Sequence, residues 1–142
     1  MTKTKSNNSA ISPTKACAVS SNERGRHSEL LAQTALLANG WSVLEPISPQ
    51  PYDLAIRNPV TSETLYVQVK TAYERDERRY GGTYVIIKGA RNNGLVYGKD
   101  EVDAFIAVHD NAVYMLPNRE KSEYWVRKEQ VGELWTRLEL DL

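Results

Sequence analysis

The sequence predicts an α/β (α+β) domain, a mixed central sheet flanked by helices, on three observations. One stretch carries apolar residues at helical spacing and ends at Asn39-Gly40. Several short runs alternate apolar with polar residues or collect β-branched ones, and clusters of Pro, Gly, Asn and Asp separate them. Helical spacing then returns near the C-terminus, so the strands are bracketed by helices, the order expected of a layered domain.

Residues 1–22 are rich in Thr, Lys, Ser and Asn and lack an apolar period, which predicts a mobile N-terminal tail ahead of a single domain over residues 23–142. Ser21 or Asn22 is placed to cap the first helix, with Glu23 in its first turn and Leu30, Leu31, Ala35, Leu36 and Leu37 along it. Residues 41–44 read as a short strand, ended by the cluster of Pro46, Pro49 and Pro51. Residues 52–57 and 65–72 alternate on either side of 58–63, a stretch of turn composition, and predict a β-hairpin. If Arg57 faces Thr64, the constant index sum of antiparallel partners brings Asp53 opposite Gln68. The charged run 74–79 reads as a loop before Gly81-Gly82, and 83–88 as a β-branched strand. Residues 102–108 and 112–116 flank His109-Asp110-Asn111 and predict a second hairpin. Residues 128–138 space Val131, Leu134, Trp135 and Leu138 as one face of a final helix packed back on the sheet.

Composition narrows the function classes. Hydrophobic residues at 41% and charged residues at 25% are ordinary for a soluble globular chain, and no apolar stretch approaches a membrane span. Without a signal-peptide h-region, and with Cys17 as the single cysteine, an intracellular, cytoplasmic, disulfide-free protein is expected. The 18 basic and 18 acidic residues cancel, but bases outnumber acids from Lys70 to Lys99 while acids gather near the C-terminus. Charge is felt locally at physiological salt, so the distribution leaves room for a phosphate-binding face. His27, His109 and Cys17 match no metal-ligand spacing, the scattered glycines match no phosphate loop, and Trp41, Trp125 and Trp135 read as packing residues.

Four polar residues stand where an apolar pattern would otherwise continue: Glu29, Asp53, Gln68 and Lys70. Gln68 and Lys70 are two apart in a strand and share a face. Hydrolysis of a phosphodiester requires neutralising phosphate charge, generating hydroxide and stabilising the leaving oxygen, and Mg²⁺ serves all three through hard oxygen ligands. Asp53 would be its main anionic ligand, Glu29 would bind directly or through water, and Gln68 would offer a neutral carbonyl oxygen. Lys70 would stand beside the attacking water, where its charge favours hydroxide.

The order of Glu29, then Pro51-Tyr52-Asp53, then Gln68-Val69-Lys70 resembles the PD-(D/E)XK nuclease superfamily, a helix bearing Glu followed by a hairpin bearing Asp and (D/E)-x-Lys. Over residues 25–117 the chain is similar to the group I intron-type homing endonucleases of that superfamily. Gly25-Arg26-His27-Ser28-Glu29 and Tyr97 with Val102-Asp103-Ala104-Phe105 ahead of Tyr114-Met115-Leu116-Pro117 carry this likeness. Archaeal Holliday-junction resolvases share the helix and hairpin. The resemblance implies a restriction-endonuclease-like fold, a Mg²⁺-dependent DNA endonuclease with Glu29, Asp53, Gln68 and Lys70 as its catalytic set, and double-stranded DNA as substrate. Two departures stand out: Tyr52 separates Pro51 from Asp53, and Gln68 replaces the acidic residue, removing one negative charge from the ligand set. A degenerate DNA- or protein-binding module of the same fold is the reading from another class. Contacts to DNA are expected from Arg26, Arg75, Arg78, Arg79, Arg91, Asn92 and Asn93, with Arg tracking phosphates and Asn reaching base edges. Cutting both strands needs two sites, so a homodimer or homotetramer is expected.

Overall fold

A computed structural model describes residues 17–142. The tail expected over 1–22 lies mostly outside them, and its last residues, Ser21 and Asn22, belong to the first helix. That helix, α1, spans Ser21–Ala38. Its cap is Ser20, one residue before the expected position: Ser20 Oγ accepts from the Glu23 N–H (3.2 Å) and Glu23 Oε1 from the Ser20 N–H (3.1 Å). This reciprocal pair satisfies two of the donors that a helix start leaves open. The end falls where the sequence placed it, with Gly40 at φ 82° and Asn39 Nδ2 donating to Ala35 O (2.8 Å).

A six-stranded sheet runs β1 (Ser42–Leu44), β2 (Leu54–Arg57), β3 (Thr64–Thr71), β6 (Ala104–His109), β7 (Ala112–Pro117) and β9 (Thr136–Leu138). All neighbours are antiparallel except β3 and β6. The crossover joining that parallel pair contains β4 (Tyr73–Asp76) and β5 (Thr83–Lys88), which with β8 (Glu123–Arg127) form a three-stranded antiparallel sheet. Both expected hairpins form. Arg57 pairs with Thr64, and Asp110 and Asn111 at φ 50° and 60° make the β6–β7 turn, a conformation these short polar side chains tolerate.

The mixed fold is thus as expected, but its second layer is a sheet. One face of the six-stranded sheet packs Ile56, Val67, Ile106 and Val113 under Ala32, Ala35 and Leu36 of α1. The opposite face packs Phe105, Ala107, Tyr114 and Leu116 against Val85, Ile87, Tyr124 and Val126 of the three-stranded sheet. Glu74 ties the layers at the edge, accepting from His109 Nε2 (2.7 Å) and Lys128 Nζ (3.1 Å).

Two elements differ from expectation. The final helix is reduced to a 3-10 turn (Lys128–Gln130) and one helical turn (Val131–Leu134), after which Trp135 turns extended (φ −108°, ψ 141°) and β9 pairs with β7. The ladder on β7 decides the matter, because it satisfies backbone groups that a helix there would leave at an open sheet edge. The charged run expected as a loop contributes β4, an edge strand whose exposed Glu74, Arg75 and Asp76 suit a position facing water.

Candidate active site

Strand β3 builds the site by alternation. Leu65, Val67 and Val69 turn to the α1 side and join its core, so Gln68 and Lys70 turn to the other. Their ladder partners on β6, Phe105 and Ala107, lie in the second core cluster. Both polar residues therefore stand half-buried at the rim of an apolar layer.

The β2–β3 ladder ends at Leu54–Val67, one pair before the expected Asp53–Gln68 pairing. The Asp53 N–H donates to Val67 O (2.9 Å), and the Asp53 side chain carries the bonding on: its Oδ2 accepts from the Val69 N–H (2.8 Å). The carboxylate is thereby fixed on the backbone between Gln68 and Lys70. Pro51, without an N–H, could not have prolonged the ladder; its carbonyl instead accepts from Gln68 Nε2 (2.6 Å). That bond assigns the amide orientation, since only the NH₂ can donate to a carbonyl, and it leaves Gln68 Oε1 as the acceptor available to a ligand.

Glu29 reaches the same cleft from α1. It lines the cleft with Arg26, Asp53 and the Pro-rich turn from Glu45 to Gln50. Beside it on the helix, the buried Ser28 hydroxyl meets Thr71 Oγ1 at 2.7 Å, pinning α1 to the end of β3. Burial pushes the Asp53 carboxyl above its ordinary value; the Val69 N–H opposes this, Glu29 adds to it and Lys70 opposes it. Burial likewise holds the Lys70 ammonium below its usual value, with Asp53 drawing it back up and Lys88 lowering it further. Among the described residues no group of three or more His, Cys, Asp or Glu gathers to hold a metal. A ligand set here would be two carboxylates and one amide oxygen. Two mutually repelling carboxylates with a neutral oxygen donor nearby fit a hard divalent cation that keeps several of its waters.

Tyr97, whose place in the sequence carries no expected role in the site, is a neighbour of Lys70. The Lys70 Nζ lies 5.2 Å and the Arg91 Cζ 4.7 Å from its ring centroid. Tyr97 lies 27 residues beyond Lys70 in a Gly-containing loop with no periodic signal, so only the fold reveals the meeting.

The expected DNA-contact residues separate into groups. Arg26 lines the cleft but is paired with Glu29 (Nη1–Oε2 3.2 Å). Arg91 is bonded to Glu101. Arg75 lies on the rings of Tyr73 (5.8 Å) and Trp125 (5.0 Å) on the three-stranded sheet. Arg78 and Arg79 are exposed beyond β4. Asn92 and Asn93 are exposed at a loop tip, where Asn93 Oδ1 accepts from the Leu95 N–H (3.0 Å). The fold brings Glu29, Asp53, Gln68 and Lys70 together; it distributes the cations among the cleft, the Tyr97 ring and the three-stranded sheet with the turn that follows β4.

A family model described as PD-(D/E)XK endonuclease matches residues 19–132. The chain belongs to the PD-(D/E)XK endonuclease family. The matched stretch of this nuclease family includes Glu29, Asp53, Gln68 and Lys70, the residues the fold draws together. The solved structure of a bacterial homing endonuclease, I-Ssp6803I, is similar in fold with a TM-score of 0.58 and 24% identity, covering 78% of each chain. At that identity the likeness establishes the restriction-endonuclease-like fold. No curated protein matches the chain. Among the described residues no helix is long and apolar enough to cross a membrane.

Proposed function

We propose that this nuclease is a Mg²⁺-dependent DNA endonuclease of the homing type, acting on intracellular double-stranded DNA as a homodimer or homotetramer of one 23–142 domain. The observation that carries the reading is the Asp53 carboxylate, held on the Val69 N–H between Gln68 and Lys70 and facing Glu29 across one cleft. Asp53, Glu29 and Gln68 Oε1 would hold the cation, which when bound neutralises phosphate charge and lowers the pKa of its water. The chain's own groups do the rest. The Val69 N–H holds Asp53 through Oδ2 and leaves Oδ1 for the cation, Pro51 fixes the Gln68 amide, and partial burial reduces the water around Asp53. The Lys70 ammonium stands by the carboxylate, where it holds the attacking water and favours its loss of a proton. Arg75, Arg78, Arg79, Arg91, Asn92 and Asn93 are the side chains assigned to the DNA, with Arg26 reaching it from the cleft.

The test is cleavage of a mixed set of plasmid and four-way-junction substrates with Mg²⁺ or with EDTA. Metal-dependent linearisation of plasmid is expected, and no cleavage of any substrate would end the reading. Cutting confined to the branched substrate would instead identify a junction resolvase. A second reading rests on the neutral Gln68: a degenerate module that binds DNA or protein without cutting. Mg²⁺ binding absent in the wild type and gained in Gln68→Glu would favour it.

A further inference from the structure

The position of Lys70 depends on a ring outside the motif. Tyr97 is only 8% exposed, and its place is set from several directions. The buried Asn118 donates from Nδ2 to Tyr97 O (3.0 Å), and the Tyr97 N–H donates to Gly89 O (3.3 Å). Gly89 is itself irreplaceable in place: a Cβ there would stand 2.6 Å from the Tyr124 ring and closer still to Lys121 O. The Tyr97 ring packs edge-on against Phe105 at 6.2 Å, and Phe105 is the ladder partner of Gln68. A ring seated this firmly presents a fixed negative π surface, and both Lys70 Nζ and the Arg91 guanidinium lie within 5.2 Å of its centre. Glu101 closes the arrangement from outside, bonding Arg91 through Oε2 and accepting from the Gly98 N–H through Oε1 (3.2 Å).

We infer that Tyr97 is a positioning residue of this active site: its ring face, braced by Phe105 and flanked by the Arg91–Glu101 pair, fixes where the Lys70 ammonium stands. A four-carbon lysine stem has many rotamers, and a half-buried ammonium with no hydrogen-bonded carboxylate among the described residues would sample them. The ring narrows that choice without neutralising the charge, which a carboxylate partner would do. The inference rests on the nuclease reading for its consequence in catalysis, but the Lys70–Tyr97 contact itself does not.

The experiment compares Tyr97→Phe and Tyr97→Leu with wild type, at a temperature well below all three melting points. Tyr97→Phe keeps the ring and is expected to retain kcat; Tyr97→Leu keeps an apolar side chain without the ring and is expected to lose about 3- to 30-fold in kcat at unchanged KM. NMR of the Lys70 methylene protons supplies a readout independent of cleavage: ring-current shifts present in wild type and Tyr97→Phe should vanish in Tyr97→Leu. Wild-type kcat in Tyr97→Leu, or equal losses in both variants, would overturn the inference, the second because the hydroxyl rather than the ring face would then matter. Absence of ring-current shifts in wild type would overturn it too. A wild type that shows the shifts but cleaves no DNA would remove the nuclease reading and leave the Lys70 contact standing.

Discussion

The two sheets treat their charged residues in opposite ways. Where β2 begins and β3 ends in the six-stranded sheet, Asp53 and Lys70 are half-buried close to one another, and burial moves both away from their ordinary protonation equilibria. On the three-stranded sheet, cations rest on aromatic faces at a solvent-accessible surface: Arg75 on Tyr73 and Trp125, and Arg127 on Tyr84 (5.2 Å) while donating to Gly81 O and Tyr80 O. Ladder pairing lines these residues up, since Arg75 faces Tyr84 and Tyr84 faces Arg127. The first arrangement holds reactive charge at some cost to the fold, as functional sites commonly do. The second stabilises charge and packing together.

Substitutions in the two regions should therefore fail differently. Lys70→Ala should lower cleavage by about 10²–10⁴-fold with an unchanged melting temperature; retained activity in the purified variant would remove Lys70 from the chemistry. Trp125→Ala should cost about 2 kcal/mol of stability, through lost ring burial and the Arg75 contact, in a urea titration, while cleavage below the transition stays near wild type. Ser28→Ala removes the hydrogen bond between the buried Ser28 and the exposed Thr71 and should cost about 1 kcal/mol by the same measurement.

Asp53→Asn separates stability from activity. The folded carboxyl binds its proton more tightly than the unfolded one, so wild-type stability is lost as pH rises from the ordinary Asp range through the raised value. The variant has no such loss, and Asn Oδ1 still accepts from Val69. In EDTA it should melt higher than wild type above that range and converge with it in acid, while losing metal-dependent cleavage. A melting temperature lower than wild type at neutral pH would show the charge to be stabilising. Arg75→Ala should have the smallest effect, weakening DNA binding and lowering the slope of log K against log salt by about 1. An unchanged slope would mean that Arg75 serves the sheet and touches no phosphate.

The parts of the fold legible in the sequence were those where local pattern and tertiary demand agree. The α1 stop, the Arg57–Thr64 register and the Asp110-Asn111 turn each follow from residues adjacent in the chain. The C-terminal segment misled because Val131, Leu134, Trp135 and Leu138 satisfy a helical period while the open edge of β7 offers hydrogen bonds that no local rule contains. Charged composition hid β4 for the related reason that edge strands are allowed to look like loops. In the candidate site, alternation put Gln68 and Lys70 on one face, and index arithmetic brought Asp53 near them. The carboxylate's bond to the Val69 N–H arises where the ladder stops, and Tyr97 arrives from a loop distant in sequence, so neither had a periodic signal.

Strand β3 has one further consequence, for how such a chain can change length. Its eight residues alternate between two environments, with Val67 and Val69 in the α1 core and Gln68 and Lys70 at the site. An insertion in the exposed turn before it, around Val60 and Thr61, lengthens a loop at small entropic cost. A single residue inserted between Thr64 and Val67 would carry the pleat out of phase, turning Lys70 into the helix core and a valine into the cleft. Length variation among relatives should therefore collect in the turn and spare the strand, which makes the spacing from Thr64 to Lys70 a ruler for recognising this site in more divergent chains.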